Sequence, residues 1–198
     1  MPMLSMVNNM AEMIDNHLKE SARVIEDMVE TCRNEIQAAS ELIIESIKRG
    51  GKVMWCGNGG SAAQAQHLST EIIGGLKRHD LPPQPSVSLT TDSSFITAWS
   101  NDVGFDSLFS RQVEGIGESE DVLVALSTSG NSENVVQAVE TAKSMGVKVI
   151  ILSGKSAGKL ASTGDVNICV PSDDTQHIQE GHITAGHIFC EMVEQAFE

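Results

Sequence analysis

Apolar residues are spaced in two different ways along this chain. Residues 4–49 contain no glycine or proline, and Met6, Met10, Met13, Ile14, Leu18, Val24, Ile25, Met28 and Val29 fall mostly at helical spacings. The pattern predicts two helices, or one long and one short, ending at Gly50-Gly51. The Met-rich stripe is expected in the core or against another subunit. After Gly51 the apolar residues gather into short runs: KVMWCG (52–57), SVSLTT (86–91), DVLVALS (121–127), KVIILSG (148–154) and VNICVPS (166–172). Several of these runs, rich in Val, Ile and Leu, read as buried strands. Helical patterns lie between some of them, clearest in SENVVQAVETAKSMG (132–146). Strand, helix, strand alternation predicts a parallel sheet with helices on both faces. The segment LPPQP (81–85) reads as a loop, and the stretch from about Ile178 to Phe197 as a C-terminal helix. No linker, low-complexity tract or clean repeat interrupts the 198 residues, so one domain over residues 1–198 is expected, with helices in 1–50 and the α/β core in 51–198.

Composition narrows the function classes. The formal net charge is −14, so double-stranded nucleic acid and anionic membrane are not expected partners. An anionic ligand has to be held by a local site against the overall field. No run approaches the ~18 apolar residues of a membrane span. The start, MPMLSMVNNMAEMIDNH, lacks the basic and apolar blocks of a secretion signal, so a cytoplasmic protein is expected. Cys32, Cys56, Cys169 and Cys190 are widely spaced with no CxxC pair, which argues for reduced thiols and against a zinc ribbon. Cys56 and Cys169 sit in apolar runs and read as packing residues.

Two loops look specialised. GNGGSAA (57–63) follows the first strand and STSGNSEN (127–134) the third, and each runs into a helix. Ligands of parallel sheets bind beyond the carboxyl ends of the strands. Glycines such as Gly59 and Gly60 let backbone N–H groups approach an anion at a helix N-terminus. Ser127, Thr128, Ser129 and Ser132 add hydroxyl donors. No lysine lies in the second loop and no GxxxxGK[ST] pattern occurs, which favours a phosphomonoester over a nucleoside triphosphate.

Two helices carry the other polar candidates. His67 and Glu71 are four apart and share one face. HIQEGHITAGH (177–187) offers Gln179, Glu180, His182 and His187. Gln179 and His187 also share a face, separated by roughly 12 Å along the axis. His177 and His182 read as structural. A carboxylate and an imidazole beside a bound sugar phosphate are the tools of proton transfer between carbon atoms.

Together CGNGGSAAQAQHLSTE (56–71), SNDVGF (100–105), STSGNS (127–132) and IQEGHITAGH (178–187) resemble the phosphoheptose isomerases, enzymes of the sugar isomerase (SIS) domain family. The likeness runs over essentially the whole chain. It implies a flavodoxin-like three-layer α/β sandwich around a five-stranded parallel sheet, with a helical N-terminal region, assembled as a homotetramer. It implies conversion of sedoheptulose 7-phosphate to D-glycero-D-manno-heptose 7-phosphate, the first step toward the ADP-heptose of the lipopolysaccharide core. By position, Glu71 matches the general base and His187 its partner acid or base. Ser127, Thr128, Ser129 and Ser132 match the phosphate loop, and Asn58, Ser61 and Asp102 match substrate contacts, with Gln179 also at the substrate. A zinc ion carried by some members would take His67, Glu71, Gln179 and His187.

The chain departs from the family at two places. Gly75 and Leu76 stand where Arg and an aromatic often follow the catalytic glutamate, and His177 stands where arginine usually precedes Ile-Gln-Glu. Lys77, Arg78 or His177 are the cations available to compensate. For Gln179 and His187 to serve one centre, the helix must start irregularly, the side chains must bend inward, or subunits must share the site. The last option is the expectation here, with His187 serving a Glu71 of another chain. Three rivals stand beside the isomerase: a DnaA initiator-associating protein of the same fold, a sugar-phosphate-sensing regulator, and an isomerase of another sugar phosphate. The DnaA-associating group typically lacks histidine at the position of His187, and the regulators usually add a DNA-binding domain.

Overall fold

The structure, a computed structural model, describes the backbone of residues 2–198 and the side chains of residues 9–198. Two N-terminal helices, α1 (Pro2–Thr31) and α2 (Arg33–Lys48), precede the sheet. Then come β1 (Val53–Gly57), α3 (Gly60–Gly74), β2 (Ser86–Ser88), α4 (Ser93–Asp102), α5 (Leu108–Ile116), β3 (Val122–Ser127), α6 (Glu133–Ser144), β4 (Lys148–Gly154), β5 (Val166–Val170) and α7 (Thr175–Ala196). All five strands are parallel, in the order β2-β1-β3-β4-β5. The expected parallel sheet and flanking helices are therefore present. Helices α4 and α5 are additions to what the apolar spacing indicated.

Every residue of β1 and β3 is buried, which is why their sequences are continuous rather than alternating. Val53 and Trp55 point to one face, where Val24 and Met28 of α1, Ile36 and Ile43 of α2, Leu68 of α3 and Phe189 of α7 pack. Met54 and Cys56 point to the other, against Phe109 of α5 and Val135, Ala138 and Val139 of α6. Three layers result. Each large apolar side chain buried here contributes roughly 1.5–3 kcal/mol, so two full interfaces hold the sheet.

Helix α1 divides the Met-rich stripe. Val24 and Met28 enter the core, whereas Met10, Met13, Ile14, Leu18 and Val29 are 56–68% exposed. Those five are not core residues of this chain: Met10, Met13, Ile14 and Leu18 precede Val24, the first α1 residue in the core, while Val29 follows Met28 and lines a groove with Arg33 and Ile188. Met6 lies outside the residues whose side chains are described.

The four cysteines are free. Burial pushes the Cys56 thiol up to about 12, which leaves it inert at neutral pH and consistent with a packing role. No helix of the described residues is long and apolar enough to cross a membrane.

Candidate active site

The strand order turns back on itself between β1 and β3, and both specialised loops leave the sheet at that point. Chain leaving β1 and chain leaving β3 diverge to opposite sides, which opens a crevice at their carboxyl ends. In the first loop, Gly59 takes φ 56° and ψ −120° and caps α3 without a side chain. That positive φ is one glycine adopts without strain, and it starts α3 at the crevice, where a helix N-terminus favours an anion. Ser61 is buried, and its N–H donates to the Asn58 carbonyl at 3.0 Å. The Asn58 carboxamide exchanges two hydrogen bonds with Asn134, at 2.8 and 2.9 Å, and so latches the first loop to the start of α6. Asn134 is buried and had no sequence signal beyond lying just past the second loop.

In the second loop the Ser127 hydroxyl donates to Ser132 Oγ at 3.2 Å. Ser132 is the N-cap of α6, yet its hydroxyl makes no capping bond, so its own O–H is left to donate to a ligand. Thr128 and Ser129 line a cavity of about 230 Å³ shared with Asn131, Lys155, Ser172, Asp173 and Thr175. The four hydroxyl residues thus form a Ser127–Ser132 pair at the helix start and a Thr128–Ser129 pair on the Lys155 side. Lys155 was missed from the sequence. Its signal was its place directly after KVIILSG, at the carboxyl end of β4.

Helices α3 and α7 lie side by side and run in the same direction. Gly186 makes this possible, because a Cβ there would overlap the Leu68 side chain. The Gln64 carboxamide N–H donates to the Gln179 carbonyl at 2.7 Å and secures the register. With that register, His67 Nε2 meets His187 Nε2 at 2.8 Å, and Glu71 Oε1 lies 3.7 Å from His67 Nδ1. Glu71, His67 and His187 form a line of proton-handling groups on a single chain. The Glu71 side chain is 19% exposed and that of His67 46%, so the line opens to solvent at the histidines while the carboxylate is shielded.

That line brings Glu71 and His187 of one chain to the two sides of a single His67 ring, through the close α3–α7 contact. It also bears on the zinc set. Glu71 addresses the opposite ring nitrogen of His67 from the one facing His187. Gln179 sits in regular helix with its carboxamide against Gly60, where a Cβ would come within 2.5–3.0 Å. Gly60 precedes His67 by roughly 10 Å along α3. His67 and His187 thus lie close enough to address one ion, with Glu71 turned to the far side of the His67 ring and the Gln179 carboxamide toward Gly60.

Asp102 is exposed at the end of α4 and accepts a hydrogen bond from its neighbour Asn101, away from this line. The three cations thought able to replace the family's arginines are each engaged on this chain. Lys77 pairs with Glu191, Arg78 with Asp80 and Glu198, and His177 with Glu180. Gly75 itself has a backbone reason to be glycine. It ends α3 at φ 86°, and a Cβ would overlap the Arg78 carbonyl. Gln64 is another residue missed from the sequence: its Oε1 is buried without a partner beside Gln179, an acceptor suited to a ligand hydroxyl.

His182 is fully buried among apolar groups, and neither ring nitrogen has a regular hydrogen-bond partner. Loss of water pushes its pKa down to about 4, and the nearby Ser153 backbone offsets only part of that. Between pH ~6.5 and ~4 the unfolded chain binds a proton at this residue that the folded chain does not, so stability rises with pH there and falls on acidification. The expected loss over that window is about 3 kcal/mol. Urea unfolding of the parent and of His182→Met across pH 4–7 should show a flatter acid limb in the variant. Parallel curves would refute a titrating role for His182.

A family model described as SIS domain matches residues 16–154. The chain is similar to phosphoheptose isomerases from Nitratiruptor sp. (45% identical, covering 95% of this chain and 100% of the relative) and Rhodospirillum rubrum (51% identical, covering 83% and 87%). Among solved structures it resembles phosphoheptose isomerase GmhA from Neisseria gonorrhoeae, with TM-score 0.88, 40% identity and coverage of 94% of this chain and 99% of that one. A phosphoheptose isomerase from Francisella tularensis matches with TM-score 0.89 at 34% identity, covering 93% and 97%. With relatives this similar over nearly their whole length, and with the two ligand loops at the sheet's switch point, this chain belongs to the SIS domain family and, within it, to the phosphoheptose isomerases.

Proposed function

We propose that this protein interconverts sedoheptulose 7-phosphate and D-glycero-D-manno-heptose 7-phosphate, by proton transfer through an enediol. The observation that carries the reading is the Glu71–His67–His187 line on α3 and α7, set roughly 10 Å along α3 from the loop end at Gly60. An extended heptulose phosphate spans on the order of 10 Å from phosphorus to C1, at the ~1.2 Å per bond of an extended chain. One end of the substrate can therefore lie at the two loops and the other at the His67–His187 pair, toward which the Glu71 side chain, rooted one turn further along α3, leans back.

The phosphate is held by Ser127, Thr128, Ser129 and Ser132 and by N–H groups at the starts of α3 and α6, with Lys155 adding charge. Asn58, Gly59, Gly60 and Ser61 border the sugar, and the open Oε1 of Gln64 accepts from one of its hydroxyls. Glu71 removes a proton from C1 of the ketose, which leaves a cis-enediol, and the same carboxylic acid returns a proton to C2. His187 carries the hydroxyl proton from O1 to O2. His67 orients His187 through the Nε2–Nε2 hydrogen bond and turns Nδ1 toward the Glu71 carboxylate, 3.7 Å away. Positioned acid–base groups of this kind supply roughly 10²–10⁴-fold each.

The product would feed the nucleotide-activated heptose of the lipopolysaccharide core in the cytoplasm. A homotetramer is part of the proposal, supported by the exposed apolar face of Met10, Met13, Ile14 and Leu18. The direct test is incubation with sedoheptulose 7-phosphate in deuterated water. The aldose should appear carrying deuterium at C2, the position to which solvent-exchanged Glu71 returns its proton. Turnover of a hexose phosphate with none of the heptulose would move the reading to another sugar phosphate. Binding to DnaA with no isomerisation at all would support the non-catalytic rival.

A further inference from the structure

Among the described residues, one group of three metal-ligating side chains converges, and it lies outside the Glu71–His67–His187 line. His17 of α1 and His177 and Glu180 of α7 bring one ligand atom each to within 4.8 Å of one another. We propose that these three side chains bind one divalent cation of the zinc class, and that the ion ties the upper half of α1 to α7.

The spacing suits such an ion. Ligand atoms ~2.0–2.2 Å from a tetrahedral zinc stand about 3.3 Å apart. His177 Nδ1 lies 3.0 Å from Glu180 Oε2, and His17 Nε2 lies 3.6 Å from Glu180 Oε1. With all three ligand atoms within 4.8 Å of one another, side-chain shifts of on the order of 1 Å would place them around one ion. Two of the ligands are pre-set. His177 and Glu180 are three apart in regular helix and share a face, and His177 is only 6% exposed. The two imidazoles lie with ring centroids 4.7 Å apart, tilted by 39°. Two nitrogens and one carboxylate oxygen form a donor set that zinc, cobalt and nickel accept. The side chains of His17 and Glu180 are 43% and 40% exposed, which leaves the fourth position open to water. Burial acts to raise the Glu180 carboxyl, yet hydrogen bonds from His177 and Ser21 and the neighbouring imidazoles hold it below the usual range, so the oxygen donor is charged at neutral pH.

The position suggests what the ion is for. Below His17, α1 is anchored by Val24 and Met28 in the core. Above it, Met13 and Ile14 are exposed and touch nothing that would hold the helix down. His17 is the tie at the point where α1 leaves the body, and a partly exposed His–Glu pair holds two helices weakly without help. A bound ion would make that tie rigid and fix the direction in which the apolar face of α1 is presented. The site shares no ligand with the Glu71–His67–His187 line.

Metal-stripped protein is dialysed against Zn²⁺, the ions per chain are counted, and Co²⁺ absorption reports the ligand geometry. His17→Ala, at an exposed position that folding does not need, should lower the count by one ion per chain. Glu180→Gln should weaken the same site at least tenfold. The His67→Ala/His187→Ala double variant should keep it. In the parent, zinc should slow proteolysis of the segment before His17, and His17→Ala should abolish that protection. An unchanged zinc count and affinity in His17→Ala, or no bound zinc in the parent, would overturn the proposal.

Discussion

Glu71→Gln should lower kcat by about 10²–10⁴-fold with little change in substrate binding, because it removes the carbon base and preserves shape and hydrogen-bonding reach. The side chain is largely shielded, sits in the last turn of α3, and makes no buried ion pair whose loss would unfold the chain. The variant should therefore keep its fold and bind substrate with near-parent affinity. Exchange of the C1 proton with solvent should fall in step with turnover, since both run through the same carboxylate. Retention of more than about a tenth of the parent rate would take the base role away from Glu71. His67→Asn offers a contrast within the same line. It should cost less than Glu71→Gln, because His67 orients its neighbours and does not itself touch carbon.

An unphosphorylated heptulose should be turned over with kcat/KM roughly 10³-fold or more below that of the phosphorylated sugar. Each hydrogen bond to a phosphate oxygen contributes about 1.5–3 kcal/mol, and losing three of them removes binding energy that would otherwise hold C1 against Glu71. The loop supplies a sharper version of the test. Gly130 takes φ 64°, and a Cβ there would overlap the Ala157 carbonyl, while the loop is tied down by Gly154 N–H to Thr128 O and Leu160 N–H to Gly130 O. Gly130→Ala must displace the loop. It should raise KM for the phosphorylated sugar at least tenfold and leave the poor turnover of the unphosphorylated one unchanged. Equal turnover of the two sugars by the parent would remove the phosphate anchor from the mechanism.

The layout of strands and loops was readable from residues 52–172 because parallel strands buried on both faces must be continuous apolar runs, and because glycine and serine mark the turns that follow them. Helices α4 and α5 were not readable. They are short, and Phe95, Ile96 and Trp99 or Leu108, Phe109 and Val113 give too few turns for a helical period to stand out. The pairing of His67 with Glu71 follows from a spacing of four on one helix, which is local geometry. The meeting of His67 with His187 is different in kind. It depends on the parallel register of α3 and α7, which Gly186 permits by leaving room for Leu68, and no pattern along one helix records which residue of another it will face. The same holds for the latch between Asn58 and Asn134, for the position of Gln179 beside Gly60, and for the approach of His17 to His177 across 160 residues of chain. Periodicity encodes which face of an element is buried; the packing of side chains between elements decides which polar groups then come within reach of one another.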